Sequence, residues 1–425
     1  MKKYNVNILS DDFKDKIRYY FQLTNSGYKR SKWLVNSIFS KRHIDHLYKR
    51  FTWKKDEIII LSDWLPFISS PAKSEKLFVS KLLKSNSVPQ IYGRPKIWPK
   101  ATRCFPEKEV SVYCLNNIIV TKFGQVFDFY GRVIKEVWHP PPKFFHKVCG
   151  RVFFGIDLSR LSQKNEKVVE FDELIVIQQL TNKTYGHFLI EIMPRMLMAK
   201  DYCDDSLSIY FTINHEVYKE ALNFLDIDIE KRLVDASLYP VLKAKKAYIP
   251  KYTKRRGWLG CSLYLDKAVD IILEKLSNQN LKLQNDCKRI FVARPNIETK
   301  GINRTSRLIN IDQVEEELLS RRFIKVYPEK LSFAEQVLLF HNAEVVIGEH
   351  GSAMFNAIFC KKNTLIFDFH AAKPVSTLYD VLQSRKVKYV AIMSPEGSMV
   401  SWKVHEKFNC SIPYLKEALD AYEIH

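Results

Sequence analysis

The segment from Ala343 to Phe359, AEVVIGEHGSAMFNAIF, carries the residues best suited to chemistry. An apolar run gives way to His350 and Gly351, and a helix is predicted from Ser352 onward. A helix start presents unpaired backbone N–H groups and the positive end of its dipole, and both favour a phosphate. Glycine lets the backbone approach a ligand closely, and the histidine adds a hydrogen bond or a positive charge. The segment therefore predicts a nucleotide or sugar-phosphate site.

Polar side chains also follow other predicted strands. Arg294 comes after IFVA, Arg307 lies in the loop NRTSRLIN, and Glu329 comes after KVYP. Ligands of open parallel sheets bind beyond the carboxyl ends of the strands, where arginines can clamp a diphosphate and a carboxylate can hold ribose hydroxyls. A surface position accounts equally well for each arginine alone. Their clustering after successive strands favours one shared site.

A second candidate lies in NKTYGHFLIEIMPRMLMAK, residues 182–200. His187 and Glu191 are four residues apart, so on a helix they share one face. Either of them can serve as a general base. The alternative is a capping or core histidine beside an ordinary exposed glutamate, and spacing alone favours that alternative.

Several enzyme classes lack support in the motifs. Asp226-Ile227-Asp228 has the form of a metal-binding DxD, but it ends a predicted helix and is interpreted as a helix stop. The sequence contains no GxxxxGK[ST], GxGxxG, HExxH or GxSxG motif, so P-loop, dinucleotide, zincin and hydrolase interpretations have no basis. No metal site is predicted.

The elements that must position these residues follow an α/β pattern. A β meander is predicted over 109–138, with turns at Asn116-Asn117 and Phe123-Gly124, after a proline-rich linker at 84–106. Strands then alternate with helices in two blocks, 150–262 and 280–395, as in parallel α/β units. The expected architecture is two Rossmann-like domains facing a cleft. Three parts are expected: a basic, mostly helical extension at 1–105, a β meander with α/β units at 106–265 and a second α/β domain at 266–425.

Composition and charge indicate which partners and which cellular compartment to expect. The chain has 425 residues and a net charge of +20, and nine Lys or Arg against one acid lie between Lys29 and Lys55. A second basic cluster spans Lys243 to Arg256. Such charge predicts an anionic partner, and an acidic membrane surface comes before nucleic acid, for which no motif is present. The alternative is a solvated face without a partner. No apolar run reaches about 18 residues, no signal peptide is evident, and the scattered cysteines fit a reducing cytosol.

The order YGHFLIEIMPR, IFVAR, R-x-x-N and PEKLSFAEQVLLFHNAEVVIGEHGSAMFNAIF resembles glycosyltransferase family 61, over roughly 109 to 395. That family includes extracellular O-GlcNAc transferases, plant xylosyltransferases and many bacterial capsular polysaccharide proteins. The resemblance implies a GT-B-like fold, in which the acceptor-side domain is 106–265 and the nucleotide-sugar-binding domain is 266–425. It also implies inverting transfer from a nucleotide sugar, without an essential metal or other cofactor. A UDP-linked donor carrying a hexose, N-acetylhexosamine or pentose is the first expectation.

The resemblance also assigns residues. The Gly-His pair of the family matches Gly186-His187, and its following acid matches Glu191, which implies catalytic roles for His187 and Glu191. Donor binding is expected at Arg294, Arg307, Glu329, Gln336, His350, Gly351, Ser352 and Ala353. The chain departs from the family at Asn310-Ile311, where Asn-Glu is common, and at Ser352-Ala353, where the family often has Ala-Gly.

The sequence therefore predicts a glycosyltransferase of surface-polysaccharide synthesis. It is expected to act on a glycan or lipid-linked glycan in the cytoplasm, with peripheral attachment to the inner face of the membrane as an open expectation. Two alternatives remain open. One is a non-catalytic scaffold that binds a membrane or polymer, and the other is a phosphosugar-polymer transferase that uses the same cleft.

Overall fold

A computed structural model describes residues 90–92, 112–122, 124, 126–128, 169–179, 181–239, 241–250, 262–279, 288–294, 297–299, 302–304, 306–371, 377–394 and 407–425. Apart from its residues 90–92, the predicted basic extension lies outside this part of the chain. The basic cluster at 29–55 and residues 251–256 of the second cluster lie outside it as well.

Fourteen strands are numbered along the described residues. They are β1 (Gln90–Tyr92), β2 (Val112–Thr121), β3 (Val126–Asp128), β4 (Val169–Val176), β5 (Ile209–Phe211), β6 (Leu233–Asp235), β7 (Val241–Pro250), β8 (Arg289–Val292), β9 (Ile297–Thr299), β10 (Ile302–Arg304), β11 (Ile324–Val326), β12 (Val345–Glu349), β13 (Leu365–His370) and β14 (Lys388–Met393).

The α-helices of the same residues alternate with these strands. They are α1 (Tyr185–His187), α2 (Met193–Tyr202), α3 (Glu216–Phe224), α4 (Ile229–Arg232), α5 (Ser262–Asn278), α6 (Ile311–Ser320), α7 (Phe333–Asn342), α8 (Thr377–Leu382) and α9 (Ile412–Ala421). A π-helical turn, Phe188–Ile192, joins α1 to α2. Three 3₁₀ helices lie at Pro328–Lys330, Ser352–Phe359 and Gln383–Arg385. None of the helices in the described ranges is long and apolar enough to cross a membrane.

Twelve of the strands form two six-stranded sheets, and β9 and β10 pair antiparallel as a separate two-stranded sheet. The sheet with order β1-β14-β13-β12-β8-β11 has only parallel pairs and is called the parallel sheet below. The sheet with order β3-β2-β7-β4-β5-β6 is called the mixed sheet, because β2 runs antiparallel to both β3 and β7. Together they confirm the predicted α/β class. The cleft between two domains and the domain boundaries stay predictions.

The parallel sheet owes its core to uninterrupted apolar runs. All five residues of β12 and all six of β13 are buried, as expected for central strands covered by helices on both faces. Helix α7 begins with a capping box, in which Ser332 accepts from the backbone N–H of Glu335 and the Glu335 side chain accepts from that of Ser332, and this fixes where the helix leading into β12 starts.

The connection order of the parallel sheet creates a crevice. The chain passes from β8 to its neighbour β11, then returns to the other side of β8 as β12. The connections that leave β8 and β12 therefore run in opposite directions, and the switch point lies between these two strands. Open α/β sheets bind ligands outside such a switch point. Arg294 follows β8 and His350 follows β12, so the two predicted site residues flank it.

The mixed sheet has its own switch point between β4 and β7, and Arg195 of α2 fills it. Its guanidinium donates to Pro250 O at 3.0 Å, Ile177 O at 2.9 Å and Gln179 Oε1 at 3.2 Å. The side chain is 3% exposed. Arg195 thus joins the ends of both strands to the helix that follows β4.

Replacing Arg195 with Met is expected to lower the free energy of unfolding by about 3 kcal/mol or more, because several buried carbonyl and amide oxygens lose their donor. Urea unfolding followed by circular dichroism measures the change. Arg322→Met, at an exposed position, is the matched control and should change stability by less than about 0.5 kcal/mol. Equal midpoints for the two variants would contradict the structural role of Arg195.

Some sequence predictions need correction. Asn116-Asn117 lies inside β2, where Asn117 takes a positive φ of 51°, and is not a turn. The turn at Gly124 is confirmed, with φ 76° and its N–H bonded to Thr121 O at 2.7 Å. Part of the predicted linker, β1, joins the edge of the parallel sheet beside β14. The helix after His350 has the predicted extent but is a 3₁₀ helix.

Candidate functional site

Glu349, the last residue of β12, organises the predicted anion site. Its side chain is 2% exposed, and it accepts from Ser306 Oγ at 2.6 Å and from the backbone N–H of Arg307 at 2.9 Å. Arg294 Nε lies 3.2 Å and Arg307 Nε 3.6 Å from the same carboxylate. One carboxylate therefore gathers two arginines from separate loops at the switch point.

The two arginines also share the backbone carbonyl of His350. Arg294 Nη2 donates to it at 2.9 Å, and Arg307 Nη2 donates to it as well. Burial, with the neighbouring charge of Arg294, lowers the pKa of Arg307 to about 10, which leaves it charged at neutral pH. Two cations face one carboxylate here, so a positive charge remains for an anionic ligand. Arg294 is the more accessible, with its side chain 32% exposed against 9% for Arg307.

Gly351 is not required by backbone strain, because its φ of 173° is open to any residue. A Cβ at this position would lie 2.0 Å from Nη2 of Arg294. The glycine therefore lets the guanidinium lie directly against the turn.

The ring of His350 is held from behind by a buried carboxylate. His350 Nδ1 lies 2.7 Å from Asp368 Oδ2, and the same oxygen lies 3.1 Å from His370 Nε2 and accepts from Tyr389 OH at 2.5 Å. Burial alone would raise the pKa of Asp368, but His350 and His370 outweigh it and hold that pKa well below its usual range. Burial lowers the pKa of His370. Asp368 is therefore an ionised carboxylate with no exposed surface.

His350, Asp368 and His370 have the composition of a metal site, and they are the one such group in the described ranges, with candidate ligand atoms within 4.8 Å of one another. Their geometry fits a hydrogen-bond network better. One carboxylate oxygen already meets both imidazoles and Tyr389, and the two imidazole rings stack with centroids 4.9 Å apart at 27°, whereas metal ligands point their rings toward a common centre. The prediction of a site without metal stays a prediction.

His187 and Glu191 lie together on the π-helical turn and the residue before it. His187 Nδ1 is 3.1 Å from Glu191 Oε1, and Glu191 Oε2 accepts from Gln179 Nε2 at 2.7 Å and from Thr181 Oγ1 at 3.3 Å. The His187 side chain is 22% exposed and that of Glu191 is 4% exposed. The expectation of an ordinary exposed glutamate beside the histidine is wrong, since Glu191 is buried. A π turn is often found at functional sites.

Phe355 lies between the turn that carries His187 and the ring of His350. A Cβ on Gly186 would lie 2.8 Å from Phe355 Cδ2, and the Phe355 and His350 rings have centroids 6.4 Å apart. Next to it, Tyr185 donates from its hydroxyl to Asn356 Oδ1 at 2.8 Å. The turn carrying His187 therefore packs on the same 3₁₀ helix that follows His350.

The remaining predicted donor residues lie around these groups. Gln336 is buried, and its amide accepts from Asn356 Nδ2 at 2.9 Å and donates to Leu331 O at 3.1 Å, so both ends already bind protein. Glu329 is exposed in the 3₁₀ turn after the edge strand β11. Ser352 and Ala353 are partly exposed in the first turn of their 3₁₀ helix. Gly351 occupies the N-cap position of that helix.

Two other predicted features have structural roles. Asn310 bonds the backbone of Cys410 twice, donating to its carbonyl and accepting from its N–H at 2.9 Å each. Asp226 pairs with Lys275 at 2.5 Å and Lys200 at 3.5 Å, and Asp228 caps α4. The DxD is therefore a helix stop, as predicted.

Three residues of the site are not predicted from the sequence. They are Glu349, which anchors the two arginines, and Asp368 and His370, which lie behind His350. The signal for the last two was present, because TLIFDFH places an aspartate and a histidine in an otherwise apolar strand. A charged residue in a fully buried strand needs a partner, and that partner is His350.

A family model described as Glycosyltransferase 61 matches residues 185–367. The matched residues begin at the first residue of α1 and end within β13, so they include His187, Glu191, Arg294, Arg307 and His350, while Asp368 follows directly. No curated protein matches the chain.

Proposed function

The chain belongs to glycosyltransferase family 61, and from this membership we propose that it is an inverting transferase that moves a sugar from a nucleotide sugar to a glycan. The observation that carries the proposal is the switch-point site, where the guanidinium groups of Arg294 and Arg307 meet at the backbone carbonyl of His350 beyond the parallel sheet. A donor diphosphate is the ligand whose charge and size suit that group.

In the proposed reaction the acceptor hydroxyl attacks the anomeric carbon from the face opposite the diphosphate. A carbon–oxygen bond forms to the acceptor, the bond to the diphosphate oxygen breaks, and the hydroxyl proton passes to a base. The nucleoside diphosphate leaves with the additional negative charge. Arg294 and His350 stabilise that charge in the transition state, where preorganised donors have their largest effect.

Of the two candidates for the base, His187 has the better support. Its side chain is more exposed than that of Glu191, and Glu191 is already engaged by Gln179 and Thr181. A carboxylate at Nδ1 fixes the imidazole tautomer and supports the protonated ring, as in hydrolase triads. We assign proton abstraction to Nε2 of His187 and the orienting role to Glu191.

The finer features of the proposal rest on the resemblance and on composition. The proposal includes a UDP-linked donor, a surface-polysaccharide acceptor and a reaction without metal. It also places the enzyme in the cytoplasm, at the inner face of the membrane. In the second basic cluster, Lys245 lies 2.7 Å from Asp172 and Lys246 lies 3.4 Å from Glu173 on β4. Because these two lysines are paired with carboxylates, they contribute little to binding an anionic membrane surface. Membrane attachment in this proposal depends on the residues before position 90, and co-sedimentation of the full chain and of a chain lacking them with anionic liposomes tests it.

The test of the function is a transfer assay with a panel of UDP-, GDP- and CMP-sugars, in which nucleotide release and the new glycan are both measured. Release of a nucleoside phosphate coupled to acceptor, with inversion at the anomeric carbon by NMR, is the expected result. A product that retains a phosphate in the new linkage would favour the phosphosugar transferase. No turnover and no binding of any donor would favour the scaffold.

A further inference from the structure

Asp368 is the most buried charged group near the proposed site, and the proposed reaction does not use it directly. It lies in the middle of β13, paired in register with Gly348 of β12 and Ala391 of β14. A carboxylate in such a position is costly, and an apolar residue of similar size is often at least as stable. Because packing of the sheet does not account for a buried carboxylate, Asp368 is expected to have a further role.

The donors around Asp368 converge on one oxygen. His350 Nδ1, His370 Nε2 and Tyr389 OH all lie within 3.1 Å of Oδ2, and His370 Nε2 is also 3.1 Å from Tyr389 OH. The other oxygen, Oδ1, is buried and has no hydrogen-bond partner among the described residues. The His370 and Tyr389 contacts therefore fix the carboxylate, and its third contact fixes the ring of His350.

This arrangement decides which nitrogen of His350 is available. With Nδ1 against a carboxylate, Nδ1 carries a proton, and Nε2 is the ring nitrogen that can meet a ligand. Phe355 lies against the ring edge-on, with centroids 6.4 Å apart, and His370 stacks on its face, so the ring has little freedom to turn.

We propose that Asp368 is a positioning residue for transfer: fixed by His370 and Tyr389, it holds the ring of His350 so that Nε2 faces the leaving diphosphate. The inference rests on the proposed function of His350. It adds a residue that lies one position beyond the family match and that contacts the substrate only through the histidine.

The natural test is Asp368→Asn. The amide oxygen can take the place of Oδ2 and keep its three donors, while the amide nitrogen takes the place of the unpartnered Oδ1, so the fold should be retained. What is lost is the charge. We expect kcat to fall on the order of 10²-fold or more, with the donor KM changed by less than about threefold, because the lost interaction acts on the leaving group in the transition state.

A spectroscopic measurement tests the same inference without any activity. In protein labelled with ¹⁵N-histidine, with the His350 signals assigned through His350→Gln, we expect a protonated Nδ1 on His350 in the wild type and a changed Nδ1 signal in Asp368→Asn. Asp266→Asn is the matched control. It removes another partly buried carboxylate, bonded to Ser384 at 3.0 Å near the opposite edge of the parallel sheet, and should alter neither the signal nor kcat.

The outcomes separate the inference from the function. If the wild type transfers sugar and Asp368→Asn matches it in kcat, the positioning role is wrong and the function stands. If no donor supports transfer but the His350 signal changes as expected, the function fails while the contact between Asp368 and His350 is supported. An unchanged His350 signal in folded Asp368→Asn overturns the inference in either case.

Discussion

His187→Gln is expected to lower the rate of sugar transfer by about 10²- to 10⁴-fold, the usual contribution of a positioned general base, while donor affinity stays unchanged. Glutamine keeps the approximate size of the ring but cannot take the proton of the acceptor hydroxyl. The measurement is kcat for transfer together with a direct titration of the donor diphosphate. The proposed donor-binding groups lie on the other side of Phe355 from His187. The substitution should therefore lower turnover and leave donor binding unchanged.

Glu191→Gln discriminates between the two candidate bases. If His187 is the base, the amide introduced by this substitution still supports its ring, and the loss is smaller than in His187→Gln. If Glu191 is itself the base, the order of the two losses reverses. His341→Gln is the matched control, because His341 bonds Phe359 O at 3.0 Å at the end of the helix leading into β12, away from the carboxyl edge. Equal rates for His187→Gln and this control would contradict the assignment.

Arg294→Met is expected to weaken binding of the donor diphosphate by about 10- to 100-fold, because a hydrogen bond to a charged group contributes roughly 1.5–3 kcal/mol. Arg294 is partly exposed, so stability should change little. Calorimetric titration with the preferred nucleoside diphosphate measures the affinity. Arg289→Met is the matched control on the same strand, because Arg289 begins β8 at the opposite edge and bonds Arg321 O at 2.9 Å.

Arg307→Met should behave differently from Arg294→Met. Arg307 is buried and its backbone and side chain both contact Glu349, so the substitution leaves a buried carboxylate with fewer partners and costs roughly 3 kcal/mol or more of stability. Adding Glu349→Gln to Arg307→Met should restore much of that stability without restoring diphosphate binding. Recovery of binding in the double variant would show that Arg307 serves only the fold.

The position of His350 could be predicted from sequence because the pattern is local. An apolar strand, a glycine-flanked turn and a helix start lie within one short segment, and the alternation of strands and helices puts Arg294 at the end of the adjoining strand. The spacing of His187 and Glu191 predicted their proximity, which is kept through a π turn. The family resemblance added their catalytic roles.

The contacts behind His350 could not be predicted in the same way. Asp368 meets the ring only because β13 pairs with β12 in a register that sets it beside Gly348, and sheet register between separate segments is not visible in one sequence. The same holds for Gln336, whose amide is satisfied by Asn356 and Leu331, and for β1, which reaches the edge of the parallel sheet from a segment rich in proline. Asn116-Asn117 has the composition of a turn, yet pairing with β7 continues past it.

The most direct test of the central claim is a titration of the full chain with UDP, GDP and CMP, followed by thermal unfolding and calorimetry, with Arg294→Met and Arg289→Met alongside. A site that holds a donor diphosphate at the switch point predicts that at least one nucleotide stabilises the wild type and Arg289→Met, and that the effect is strongly reduced in Arg294→Met. Stabilisation that is equal in all three proteins, or absent for every nucleotide, would contradict it.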